Sequence, residues 1–142
     1  MNLTGQQVVT RALRVAKVLG ADESPSTFEL NEGLSALQQM LDRWWADPQL
    51  HYSPTYLLPW FPDLATVVSV PTGLSSPVIY SLAALIAPEH GQTLDPRLLI
   101  EARNGLQRRR AYIAAMQVPN MVHETVLISD EYASDAYDIE EA

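Results

Sequence analysis

Among side chains able to ligate a metal or relay a proton, the three histidines His51, His90 and His123 stand in three separate segments, and cysteine is absent. A zinc centre needs three or four nitrogen, sulfur or carboxylate donors at short recurrent spacings, and no HExxH or comparable pairing occurs. The composition therefore offers neither a thiolate metal site nor a disulfide. The glycine loops that cradle phosphates and the GxSxG turn of serine hydrolases are missing too. Glu89 and His90 adjoin, but adjacent helical residues do not face each other, so His90 is better placed to meet carbonyls at a helix end. Carboxylates such as Glu29 and Asp42 have the right chemistry for acid and base catalysis, yet nothing selects a pair. The expectation is a protein that is not an enzyme, with no catalytic residues, no cofactor and no metal.

Contact with partners is the chemistry that remains. Arg11, Arg14 and Lys17 fall on one sector of the first helical stretch and form a small basic strip. Three such cations are more often a solvated face than a nucleic-acid footprint. Arg108, Arg109 and Arg110 spread around a later helix, so one of them must lie near its apolar face, either snorkelling or open to acidic segments and phosphates. Tyr56, Trp60 and Phe61 give a proline-rich stretch unusual apolar surface, which either folds back over the helices or anchors a partner. In the C-terminal segment, Val122 to Ile128 could add as a strand or lie extended in a groove, and Val126, Leu127, Ile128, Tyr132 and Tyr137 are its candidate partner contacts.

These residues must be positioned by helices. Leu30, Leu34, Leu37, Leu41 and Trp44 recur at steps of four and three, so the stretch from Ser26 to Asp47 predicts one long amphipathic helix. Ser26 and Glu29 have the spacing of a capping box, and Pro48 ends the element. Gly33 is its weak point on propensity alone, costing about 1 kcal/mol relative to Ala. Trp44 and Trp45 close it, either as core or as a partner anchor. Before it, Thr4 to Leu19 predicts a helix with Thr4 as N-cap and Gly20 as C′ residue, burying Val8, Ala12, Val15, Ala16 and Leu19. A third helix is expected from Ser76 to Glu89, with Pro77 at its first position, Ile79, Leu82, Ala83 and Ile86 inward and Gly91 as its stop. Asp95 and Pro96 open a fourth that runs to Met116. Between the second and third helices, residues 48–77 are divided by six prolines, leaving only Ala65 to Val70 as a β-like run and a possible short hairpin.

The formal charge of −8 is unevenly spread. Residues 117–142 hold seven acids and no Lys or Arg, whereas residues 1–116 hold ten acids against nine basic residues. The division is a helical body, 1–116, and an acidic extended arm, 117–142. The arm has too few apolar residues for a core of its own and reaches roughly 85 Å if extended. No apolar run approaches the ~18 residues of a membrane span, so no membrane partner is expected and the protein should be soluble. The fold class expected is mainly α, a four-helix bundle with a long proline-rich loop and an extended C-terminal arm.

Three stretches carry a family resemblance. They are ALRVAKVLG at Ala12 to Gly20, the set Glu32, Leu34, Leu37, Met40, Leu41 and Trp44, and LAALIAPEHG at Leu82 to Gly91 followed by the last helix. Together they resemble the head-to-tail adaptors of tailed bacteriophages, close to the tail accessory factors that stabilise packaged DNA in short-tailed phages. The APE-aromatic-G ending is the most specific piece, with His90 where the family carries tyrosine. The resemblance covers roughly residues 8 to 115. It implies a non-enzymatic head-completion protein of the virion, assembled in the host cytoplasm as a homo-oligomeric ring, a dodecamer by the family's habit. Its partners would be the portal protein, further copies of itself and a downstream tail or nozzle protein, with packaged DNA passing through the channel without sequence-specific binding. The alternative from another class is a small helical DNA-binding regulator. A body near −1 with an acidic arm lacks the electrostatic footprint such a protein needs.

Overall fold

The computed structural model of the chain describes residues 1–51 and 58–115. In order these form strand β1 (Asn2–Thr4), helices α1 (Gly5–Val15), α2 (Thr27–Ala46) and the single-turn α3 (Pro48–His51), strand β2 (Val67–Ser69), a 3-10 turn (Thr72–Leu74) and helix α4 (Ser75–Glu89). A further helix, α5, is described over residues 96–115. The fold is mainly α. The expected C-terminal arm and the far end of the last helix, Met116 included, lie outside the described residues.

Local signals set most helix ends. The Ser26 hydroxyl accepts the Glu29 N–H at 3.2 Å and donates to the Glu29 carboxylate at 3.1 Å, so the acid closes on the hydroxyl itself. A complete capping box forms instead at Thr4 and Gln7, each side chain accepting the other's backbone N–H. Asp95 accepts the Arg97 N–H at 3.0 Å and starts α5 behind Pro96. At the end of α4, Gly91 takes φ +70, and its N–H and that of Gln92 return to the Pro88 and Ala87 carbonyls. That is a Schellman stop at the expected glycine. Pro77 stands three residues into α4 rather than first, still within the turn whose N–H groups have no helical acceptor.

Helix α1 departs from its expected length. It ends at Val15, and Lys17, not Gly20, is the left-handed residue, with φ 63. The Lys17 and Val18 N–H groups bond to the Arg14 and Leu13 carbonyls, completing the same Schellman pattern three residues early. The early stop lets Val18 and Leu19 turn back onto the core, Leu19 being buried. Since a lysine Cβ is disfavoured at positive φ, Lys17→Gly is expected to raise stability by about 1 kcal/mol in urea unfolding. A loss of stability would contradict this account of the turn.

The proline-rich stretch is also built differently from a local hairpin. β2 pairs antiparallel with β1, register Asn2 with Ser69 and Thr4 with Val67, so its partner is the start of the chain. Asp63 anchors the approach to β2: its carboxylate accepts the N–H groups of Thr66 at 2.6 Å and Ala65 at 3.0 Å, and these bonds hold it below the usual carboxylate range. Gln6 N–H reaches the Leu64 carbonyl at 3.1 Å, and Gln38 donates to the Phe61 carbonyl at 2.9 Å. The described part of this stretch is therefore stitched across α1 and α2.

One apolar core joins the elements. Helices α1, α2 and α4 pack against one another, through Val8, Val9, Ala12 and Leu13 of the first, Leu37, Met40, Leu41 and Trp44 of the second, and Ile79, Leu82, Ala83 and Ile86 of the third. Leu30, Leu34 and Val15, expected inside, are half-buried at its edge. Helices α1 and α2 pack tightly at Gly33, where an added Cβ would stand only 2.3 Å from a methyl carbon of Val9. Helix α5 meets α4 in the same way, Gly105 against the Pro77 ring.

Candidate partner-binding surfaces

The residues expected to make contacts separate into open and committed groups. Arg11, Arg14 and Lys17 are all exposed. Arg11 and Arg14 border an open groove of about 600 Å³ together with Thr4, Gln7 and Thr10, so the basic strip flanks a polar depression beside β1. Trp60 keeps 40 % of its surface in solvent, whereas Phe61 beside it is fully buried. The fold thus uses one aromatic of the pair inside and presents the other. Tyr56, Val126, Leu127, Ile128, Tyr132 and Tyr137 lie outside the described residues.

The arginine run is divided by helix geometry. Arg108 is exposed and, with Tyr112, lines a groove of about 350 Å³ against the 3-10 turn. Arg109 is 7 % exposed, and its Nε donates to the Leu50 carbonyl at 2.5 Å. Burial lowers the guanidinium below its ordinary value. Arg110 reaches the Asp47 carboxylate at 3.5 Å. Since Asp47 caps α2 and Leu50 belongs to α3, these two arginines tie α5 to the end of the long helix. Removing Arg109 strands a buried carbonyl and empties its packing volume. Arg109→Ala is therefore expected to cost about 2 kcal/mol in chemical denaturation, and Arg109→Met less, because it restores the packing alone. Equal losses for both would show that the Leu50 bond, not the fill, is what matters.

His, Asp and Glu side chains are dispersed over the described residues. No group of three or more His, Asp or Glu side chains there is arranged to hold a metal. His90 is exposed at the C-cap of α4, where its backbone N–H bonds to the Ala87 carbonyl, and His123 and the His51 side chain are outside the described residues. No helix among the described residues is long and apolar enough to cross a membrane.

One surface escaped the sequence reading. Between α2, α4 and α5 runs a groove of about 330 Å³ whose apolar walls include Trp44, Leu85 and Leu99 and whose rim holds Arg43 and Arg103. Leu85 is 37 % exposed although it stands in the most apolar helix. Its only trace in the sequence is that Leu85 falls off the Ile79, Leu82, Ala83 and Ile86 stripe. Compared with known proteins, the chain matches no family model and is similar to no curated protein.

Proposed function

We propose that the chain is a structural subunit of a bacteriophage head-to-tail connector, a ring under the portal that joins head to tail and helps retain packaged DNA. The observation that supports this most is where the family-like stretches fall. Ala12 to Gly20, the Glu32 to Trp44 set and Leu82 to Gly91 lie on and just beyond α1, α2 and α4, and these helices pack on one another. A rigid helical wedge suits a ring, in which every subunit offers two flanks to its neighbours. Exposed Arg11, Arg14, Lys17, Trp60 and Arg108 supply charged and aromatic surface for such flanks. The acidic residues 117–142 supply a long, unlike-charged arm.

Deleting residues 117–142 tests the division of labour. Far-ultraviolet circular dichroism should remain that of a folded helical body, because the core formed by the described residues precedes the cut. Assembly on the portal, followed by native mass spectrometry, should weaken by about a hundredfold, the scale on which a tethered second contact adds to the first. A ring that forms equally well without the arm would sink its assigned role.

A further inference from the structure

The groove between α2, α4 and α5 joins two chemistries. Its walls, with Met40, Trp44, Leu85 and Leu99, are apolar, and its rim cations Arg43 and Arg103 are exposed. No carboxylate lines it, and among the described residues neither arginine takes part in an ion pair. A fitting occupant is an aliphatic run flanked by acids. The chain contains one beyond the described part of α5: Val126, Leu127 and Ile128 stand between Glu124 on one side and Asp130 and Glu131 on the other, with no Lys or Arg in 117–142.

We propose that this groove is the docking site for residues 124–131 of the same chain, with the aliphatic triad against Trp44 and Leu85 and the flanking carboxylates on Arg43 and Arg103. Chain length permits it. Leu99 lies roughly 24 Å back along the helix from residue 115. Residues 116–123 span up to roughly 28 Å when extended, enough to double back to the groove of their own copy. A neighbouring copy whose groove lies within that span is served equally. The charge arrangement favours this occupant over a basic or neutral segment, since the rim arginines repel the first and gain nothing from the second. The inference does not rest on the connector reading, because it concerns only copies of this chain.

Because the chain has no cysteine, an introduced pair reports proximity without background. In the full chain, Leu85→Cys with Leu127→Cys should oxidise at least about tenfold faster than Gln6→Cys with Leu127→Cys, where the first thiol sits at the exposed start of α1, outside the groove. A product of monomer mobility places the segment in its own groove, one of dimer mobility in a neighbour's, and either supports docking. Equal rates for the two pairs overturn it. As a second measurement without cysteines, Arg43→Glu with Arg103→Glu should speed amide exchange of residues 124–131 by about tenfold, the sum of two exposed ion pairs. Circular dichroism confirms that the variant is folded. Unchanged exchange in a folded variant also overturns the proposal, and neither result alters the portal-binding experiment.

Discussion

Phe61→Ala is expected to destabilise the protein by about 3–5 kcal/mol, a large part of the whole for a domain of this size. Phe61 is fully buried and belongs to the same continuous core as α1, α2 and α4. Its backbone carbonyl is held by Gln38 of α2 at 2.9 Å, so the ring cannot easily be replaced by collapse of the neighbouring loop. The thermal midpoint should fall by roughly 10–20 °C. Trp60→Ala, one residue away and 40 % exposed, should change stability far less. If the two substitutions cost the same, the loop is not the core layer described here.

Gly33→Val is expected to cost about 3 kcal/mol, and Gly33→Ala about 1 kcal/mol, both as losses. Helix propensity alone gives the opposite sign for alanine, a gain of about 1 kcal/mol. Packing wins because the new Cβ would stand 2.3 Å from a methyl carbon of Val9, itself fully buried and branched at Cβ. The helices must part, or Val9 must leave its rotamer. Trimming the partner tests the cause: Val9→Ala should recover part of the loss, with a coupling of about 1 kcal/mol in a double-mutant cycle. Additive effects would exclude the contact as the reason.

Gly33 also shows where sequence reading stops. The helix containing it was legible end to end, because its signals are local: Ser26 begins it, the four-three spacing of leucines sets its inner face, and Pro48 follows its end. The same holds for Asp95 and Gly91 at the borders of α5 and α4. A glycine at a helix crossing looks like any other glycine until the partner helix is placed. Lys17 misled for a related reason. Gly20 is the better stop by propensity, yet the turn falls on Lys17, and Leu19 is buried beyond the helix rather than within it. β1 is three residues long and pairs more than sixty residues away, so no local alternation marks it.

The candidate surfaces divide along the same line. That one arginine of 108–110 must face inward follows from helix geometry, and Arg109 is that one. That its acceptor is the Leu50 carbonyl depends on a contact between distant segments. The Arg43 and Arg103 groove was invisible because its walls come from three helices, each of which looks complete alone. Local chemistry writes caps, stripes and stops into the sequence. Juxtaposition across helices is written only into the fold.

The central claim is that this chain builds a ring on a portal. The direct measurement is electron microscopy of the protein mixed with a dodecameric phage portal, the partner that the proposed function names. The connector reading predicts an added ring of density on one face of the portal, with copies of this chain around the channel and a free, smaller species when the portal is omitted. Bare portals beside unbound protein, at concentrations well above those of assembly, would contradict it.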